Sequence, residues 1–251
     1  MIRRRSLLGG LTLGAGGLLL SGCDKLNASP GFRGLLEGAE QLHYRSQRLL
    51  AGGGALAREY SRADMSPIFR TNGSVRPTAP DYLAHAAANF ADWRLVVDGL
   101  VARPLRLSLS DLGRLPQRAQ ITRHDCVEGW SAIGKWQGPQ LGPILRAAGL
   151  SSRANFIVFH CADTSGGVPY YESIDLNDAF HPQTILALLM NDHRLSVPHG
   201  APVRLRVERQ LGYKHAKFVM RIEARDRIDN LHAGKGGYWE DRADYAWYAG
   251  I

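Results

Sequence analysis

The chain has 251 residues, 45% of them hydrophobic and 22% charged, with a formal net charge of +8. That is enough apolar chain to bury a full core, which excludes a disordered polyelectrolyte and favours one large domain with extensions. Three cysteines exclude an extensive disulfide framework, and no basic run carries interleaved aromatics, so the positive balance points to anionic ligand groups and not to nucleic acid.

The first 22 residues read as an address and are set apart from the fold. Arg3, Arg4 and Arg5 precede an apolar, Gly-rich run over 7–20, short of the roughly 20 residues that a spanning helix needs. The run closes on Leu20, Ser21, Gly22 and Cys23, the small-residue pattern of a bacterial lipoprotein signal in which Cys23 is acylated. Asp24 matches retention at the inner membrane. Arg4 and Arg5 before Ser6, Leu7 and Leu8 resemble a twin-arginine export signal, a route for proteins that fold around a complex cofactor before export. The expected location is the periplasmic side of a bacterial inner membrane, lipid-anchored through Cys23. An uncleaved anchor and an ordinary secretory segment are the alternatives.

Residues 23–67 read as a leader. Phe32, Leu35, Leu36, Ala39 and Leu42 fall at helical spacing, and Gly52, Gly53 and Gly54 break the pattern, so one or two amphipathic helices are expected. The folded domain is placed at 68–228. It opens with a turn-rich loop in which Asn72-Gly73 is a strong turn signal, and Arg70 and Asn72 put a cation and an amide on it. Residues 93–97 read as a strand ending in the turn Asp98-Gly99, and 105–109 as a second, with Ser110 capping a short helix closed by Pro116.

A short strand at 119–122 leads into HDCVEGW at 124–130, and Trp130, Ser131 and Gly134 read as an irregular turn. Pro143 and Gly149 bound a helix. Residues 155–161 and 170–174 read as strands, with Asp175 capping a helical turn, and 184–190 is an apolar run of either type. Val203, Leu205 and Val207 alternate with Arg204, Arg206 and Glu208, a strand with two guanidiniums on its polar face. Phe218, Met220 and Ile222 repeat the pattern. Residues 229–251, rich in glycine and aromatics, are expected to pack on the domain as a tail. Short strands mixed with short helices indicate an α+β fold. No GxGxxG, P-loop, HExxH or CxxC motif supports a nicotinamide, nucleotide-phosphate or zinc reading.

Two polar constellations carry the chemistry. Cys126 sits at the mouth of a strand between His124, Asp125 and Glu128, a setting in which a thiolate serves as a soft ligand or a nucleophile; a buried structural cysteine is the alternative. Between residues 199 and 217, His199, Arg204, Lys214, His215 and Lys217 gather beside turns at Gly200 and Gly212, a pattern suited to a phosphate or, more plainly, to solvated charges on a hairpin. A cofactor with a soft metal at one end and an anionic tail at the other fits both.

The segment WRLVVDGLVARPLRLSLSDLGRLP leading into HDCVEGW, followed by KWQG, HPQTILALLMND, HGAPVRL and GYKHAK, resembles the molybdopterin-binding domain of the sulfite oxidase family over about residues 69–225. It is most similar to exported bacterial members, among them the catalytic subunit of the periplasmic methionine sulfoxide reductase. The resemblance implies a sulfite oxidase-type fold of mixed sheets and a molybdenum-molybdopterin cofactor, with Cys126 as the thiolate on the metal. It implies cofactor contacts from Asn72, Cys161, His199, Arg204, Lys214, His215, Ala216 and Lys217, and an acidic residue near the metal at Glu128. His199 and the pair His124-Asp125 depart from the bacterial pattern, and the arginine cluster that binds sulfite is not matched.

The reaction implied is two-electron oxygen-atom transfer at a sulfur centre, with Glu128 or His124 moving protons. Electrons are expected to pass to or from a redox partner, a membrane haem b subunit or a soluble cytochrome. The competing readings are a cysteine-nucleophile hydrolase pairing Cys126 with His124, and a cofactor-free lipoprotein that binds an anion or a partner.

Overall fold

A computed structural model of the chain describes residues 26, 29–51 and 54–251. The export and lipidation signals read at residues 1–23 lie outside them. The chain divides into two units, 1–50 and 51–251. In the first, the apolar spacing gives a single helix, α1 (Pro30–Ala51), with proline in the first turn, where its missing N–H costs nothing.

The second unit starts earlier than expected. Ala57 N bonds to Gln183 Oε1 at 2.8 Å, Tyr60 N to Ile121 O at 2.8 Å and Ser66 N to Ile133 O at 3.0 Å. Residues 57–66 therefore edge the domain and are not leader. Their extended backbone pairs with a strand and leaves no periodic signal in the sequence. A short helix, α2 (Pro80–Ala87), follows.

The main sheet contains β1 (Leu95–Gly99), β2 (Leu105–Leu107), β5 (Phe156–Ser165), β6 (Val168–Asp175) and β11 (Val219–Arg225), in the order β2-β1-β11-β5-β6. β1 and β11 are parallel and the other pairs antiparallel, so the sheet is mixed, as an α+β fold requires. Leu95, Val97, Ile157, Phe159 and Ile222 alternate inward and meet Leu141, Ile144, Leu145 and Ala148 of α4 (Leu141–Ala148). Each large side chain so buried contributes about 1.5–3 kcal/mol. The cap of α3 (Leu109–Arg114) is Ser108, not Ser110. Ser108 Oγ accepts from Asp111 N at 3.0 Å, and the Asp111 carboxylate accepts from Ser108 N at 2.9 Å, a reciprocal box that Ser110, already inside the helix, cannot form. Asp175 caps α5 (Leu176–Ala179) as expected, its carboxylate accepting from Asp178 N.

The second sheet holds β3 (Gln117–Cys126), β4 (Trp130–Pro139), β8 (Leu189–Met190) and β9 (His193–Arg194). Here the sequence misled: Trp130, Ser131 and Gly134 belong to a regular strand, paired without a break from Cys126↔Trp130 to Gln117↔Pro139. Ala132, Gly134, Trp136 and Gly138 form its buried face. Two glycines on that face hide the alternation. The ambiguous run at 184–190 is β7 (Ile185–Ala187) and β8, and β7 pairs with β10 (Arg204–Arg206). Every residue of β10 is buried, the two arginines included, so its polar face looks inward.

Candidate active site around Cys126

Cys126 ends β3, and a three-residue loop, 127–129, returns the chain to Trp130. Gly129 closes that loop at φ +85°, where a side chain would strain the backbone, and its N–H bonds to Cys126 O at 3.0 Å. The turn presents Cys126 to a cavity of about 700 Å³, open mouth included. Asn72, Gly73 and Ser74 of the early loop form one wall, Asp163, His215 and Lys217 line the interior, and Trp239 and Tyr245 close another side. Burial pushes the Cys126 thiol up, opposed in part by the Glu128 backbone N–H. A soft cation bound to the sulfur reverses that preference. Glu128 is exposed at the hairpin tip, where its carboxylate accepts from Trp130 Nε1 at 3.0 Å.

The expected cationic socket is buried. Arg204 is fully enclosed; its Nη2 bonds to Asn72 Oδ1 at 3.1 Å, its Nη1 to His199 O at 3.3 Å, and its Nε has no partner. Among the described residues no carboxylate pairs with it, and burial followed by the charge of Arg206 pulls it down to about 9. Arg206 differs, since Glu208 grips it at 2.9 and 2.6 Å. Both guanidiniums lie over the Trp136 ring, at 5.2 and 4.3 Å. Among the described residues Lys217 Nζ bonds to the carbonyls of Asn72, Ser74 and Pro198 and to no other group, clamping the early loop; burial followed by Arg204 lowers it to about 7. Two buried cations that no carboxylate hydrogen-bonds among the described residues are costly. That surplus fits a bound phosphate, and the sulfur across the cavity fits a soft metal.

The other expected residues divide. His215 lines the cavity; its Nε2 donates to Gln210 O at 3.0 Å, and burial keeps the ring neutral. Ala216 is buried beside it, and its carbonyl holds Leu205 N at 2.8 Å, fixing β10. Cys161 is a free thiol on β5 that burial pushes well up. His199 turns towards a neighbouring hollow with Phe69 and Met190: its Nδ1 accepts from Ser196 Oγ at 2.9 Å and its Nε2 donates to Phe69 O at 3.2 Å.

Lys214 points elsewhere. Its ammonium, fully buried, lies 2.5 Å from Glu240 and 2.7 Å from Glu172. His124 is buried behind the cavity, its Nδ1 accepting from Arg206 Nη1 at 3.0 Å. Burial, and then Arg206, holds that imidazole neutral. It is therefore committed to the arginine and not to the Cys126 thiol that a hydrolase would need it to activate.

Sequence reasoning missed the aromatic wall. Trp239 and Tyr245 stack at 5.8 Å and 22°, carried by α6 (Tyr238–Ala243) and the turn after it. The density of aromatics in the tail was the available signal, but their side of the domain is set by the buried Lys214–Glu240 contact, which no spacing reveals. Asp163 was missed too; nothing around it in sequence marks it.

The match to known proteins decides the family. Residues 82–232 fit the model of the oxidoreductase molybdopterin binding domain. The chain belongs to that family. Its cofactor is molybdenum with molybdopterin, and the thiol of Cys126, the buried cations Arg204 and Lys217 and the amide of Asn72 fit such a group. The chain is 42% identical over 160 residues to a putative protein-methionine-sulfoxide reductase subunit YedZ1 of Azospira oryzae, covering 64% of this chain and 56% of that protein. It is 30% identical over 177 residues to the protein-methionine-sulfoxide reductase catalytic subunit MsrP of Campylobacter jejuni, covering 65% of this chain and 58% of the relative. The chain thus spans less than two thirds of either relative. The sulfane dehydrogenase SoxCD of Paracoccus pantotrophus shares the fold, with a TM-score of 0.52 at 23% identity over 58% of this chain and 42% of that one. The matched segment therefore holds Cys126, Asp163, His215 and Lys217 of the cavity, while the loop at 72–74 and the aromatic tail beyond residue 232 lie outside it.

Proposed function

We propose that this chain is an exported molybdopterin-dependent oxidoreductase that transfers an oxygen atom, with two electrons, at a sulfur centre. The observation that carries the reading is the pairing, in one cavity, of the Cys126 sulfur with Lys217, backed by the buried Arg204 that bonds to Asn72 of the cavity wall; among the described residues no carboxylate hydrogen-bonds either cation. Cys126 would hold the metal; Arg204, Lys217, Asn72 and His215 would hold the pterin and its phosphate. The cofactor supplies a redox centre that changes by two electrons.

Sulfoxide reduction is the favoured direction. Reducing a sulfoxide to a thioether and water consumes two protons and two electrons, and Glu128, on the cavity rim and in contact with solvent, is placed to deliver the protons. The same carboxylate disfavours an anion such as sulfite at the mouth and tolerates a neutral sulfoxide. Trp239 and Tyr245 shield the other side from water. The relatives named as methionine sulfoxide reductase subunits support this choice.

In this reading, which rests on the sequence pattern of residues 1–23, the protein works on the periplasmic side of an inner membrane, anchored through Cys23, and a membrane haem b subunit or a soluble cytochrome would exchange electrons with it singly. The test uses the purified exported form with a reduced viologen dye as donor. Dye-dependent reduction of a methyl sulfoxide, lowered at least about tenfold in Glu128→Gln with a shifted pH profile, supports the reading. Sulfite oxidation without sulfoxide reduction reverses its direction, and a Glu128→Gln variant with unchanged rate and pH profile removes the proton role.

A further inference from the structure

The helix of the first unit has no task in the account above. α1 runs over 22 residues, Pro30–Ala51. At about 100° per residue, Phe32, Leu35, Leu36, Leu42, Leu49 and Leu50 fall within an arc of about 140°, interrupted by Ser46 and His43. All five leucines are exposed, Leu49 and Leu50 to 83% and 85%. Among the described residues no other helix or strand of this unit covers the stripe.

An apolar stripe of this length is costly in water and marks a surface that meets something apolar. What precedes the helix says what that is. Cys23, the residue read as acylated, stands seven residues before Pro30, a tether of at most about 25 Å when fully extended, so acyl chains on it hold α1 within reach of a bilayer surface. The helix is about 33 Å long, enough to cross a hydrocarbon core. Yet no helix among the described residues is apolar enough to do so, because Arg33, Glu40, Arg45 and Arg48 of α1 would have to enter the core with it. Lying flat keeps these groups at the water. Arg33 and Arg45 flank the arc on its two sides, where a guanidinium on a long stem reaches headgroup phosphates. Leucines on one face and arginines beside and behind them suit a helix in the plane of the interface.

We propose that α1 is an interfacial helix that lies along a phospholipid bilayer with Phe32 and its leucines in the acyl region, a second attachment beside Cys23. The inference rests on the reading that Cys23 carries the anchor. Acyl chains on one residue fix a point; the stripe adds about five turns of contact.

The test uses the loaded mature chain, residues 23–251, as Cys23→Ser, so that α1 acts without acyl chains. Binding to vesicles of phosphatidylethanolamine and phosphatidylglycerol is measured by co-sedimentation. The same chain is compared with Leu35→Ser, Leu42→Ser and Leu49→Ser combined, and with Gln41→Ser on the opposite face. The Cys23→Ser chain should bind, the combined leucine variant should bind about tenfold more weakly or less, and Gln41→Ser should match its parent, all with the same dye-dependent activity. A Cys23→Ser chain that ignores vesicles, or leucine and Gln41 variants that bind alike, overturns the inference. Leucines that bury against a second copy show as a dimer that the combined variant dissolves, and leucines that bury against the catalytic unit show as a lowered melting midpoint in that variant; either result without vesicle binding also overturns it. Mass spectrometry of the exported wild type keeps the two readings apart. An acylated Cys23 with no vesicle binding by the Cys23→Ser chain leaves the anchor standing and sinks the helix, whereas a wild type without acyl chains sinks both.

Discussion

Replacing Lys214 by methionine tests the electrostatic tie that holds the aromatic wall. The Lys214 ammonium is wholly buried between Glu240 at 2.5 Å and Glu172 at 2.7 Å, and only the Glu240 contact has hydrogen-bond alignment. Burial alone would lower the ammonium, but the two carboxylates together hold it charged. Burial and then the charge of Glu240 push the Glu172 carboxyl well above its ordinary range, which leaves Glu240, the aligned partner, as the chief counter-group of the ammonium. Lys214→Met would leave the Glu240 carboxylate buried without a counter-ion. Breaking a buried pair in this way costs about 3–5 kcal/mol. For a domain of this size each kcal/mol moves the melting midpoint by roughly 2–4 °C, so the expected loss is roughly 6–20 °C by calorimetry at neutral pH in a matched cofactor state. The triple variant Lys214→Met, Glu172→Gln, Glu240→Gln should recover most of it, because an uncharged buried cluster avoids the desolvation penalty. A single variant within about 2 °C of wild type, or a triple variant no better than the single, refutes the reasoning. The sign with pH follows from Glu172. A carboxyl raised on folding stabilises below its ordinary value of 4.5 and loses that contribution as pH rises through the folded value. Glu172→Gln should therefore flatten the fall in stability as pH rises above 4.5.

Three further outcomes are expected. Gly212→Ala would put a methyl 2.5 Å from His124 Nε2 and 2.6 Å from its Cε1; the ring cannot retreat from Arg206 without losing a hydrogen bond, so thermal unfolding should report a loss of about 1–3 kcal/mol. Arg204→Gln removes the buried cation but keeps an amide; molybdenum and pterin content should fall sharply while circular dichroism stays unchanged, and full loading would show that Arg204 holds no phosphate. Lys217, lowered on folding from 10.5 to about 7, makes the cofactor-free domain bind fewer protons than the unfolded chain between those values. Its stability to urea should thus climb with pH across that window, and the climb should vanish in the loaded protein, where an anion keeps the ammonium charged.

The parts legible in the sequence were those with local causes. The cap at Asp175 and the alternation around Arg204 each follow from a few neighbouring residues, and the α+β class followed from the mixture of short strands and helices, whereas Asp98-Gly99, read as a turn, continues β1 and pairs with β11. The Cys126 loop was legible because a thiol flanked by His124, Asp125 and Glu128 has no place in an apolar core. What was not legible depended on distant partners. Residues 57–66 pair with strands that lie far along the chain, and β4 hides its alternation behind Gly134 and Gly138. Lys214 and His199 share a basic stretch with Lys217, yet Glu240 claims the first, and Ser196 with Phe69 claims the second. Charge density in a segment says that cations are concentrated; only the buried carboxylates of other elements say which of them remain for a ligand.

The central claim is that the Cys126 sulfur ligates molybdenum while the cavity retains the pterin. The most direct measurement is X-ray absorption at the molybdenum edge, with metal and pterin content per chain, on the purified wild type and on Cys126→Ser. Wild type should contain molybdenum and pterin together, and the variant should keep the fold and show one fewer sulfur bound to the metal, or lose the metal. A wild type free of molybdenum, or a variant with the metal's sulfur shell intact, contradicts the account.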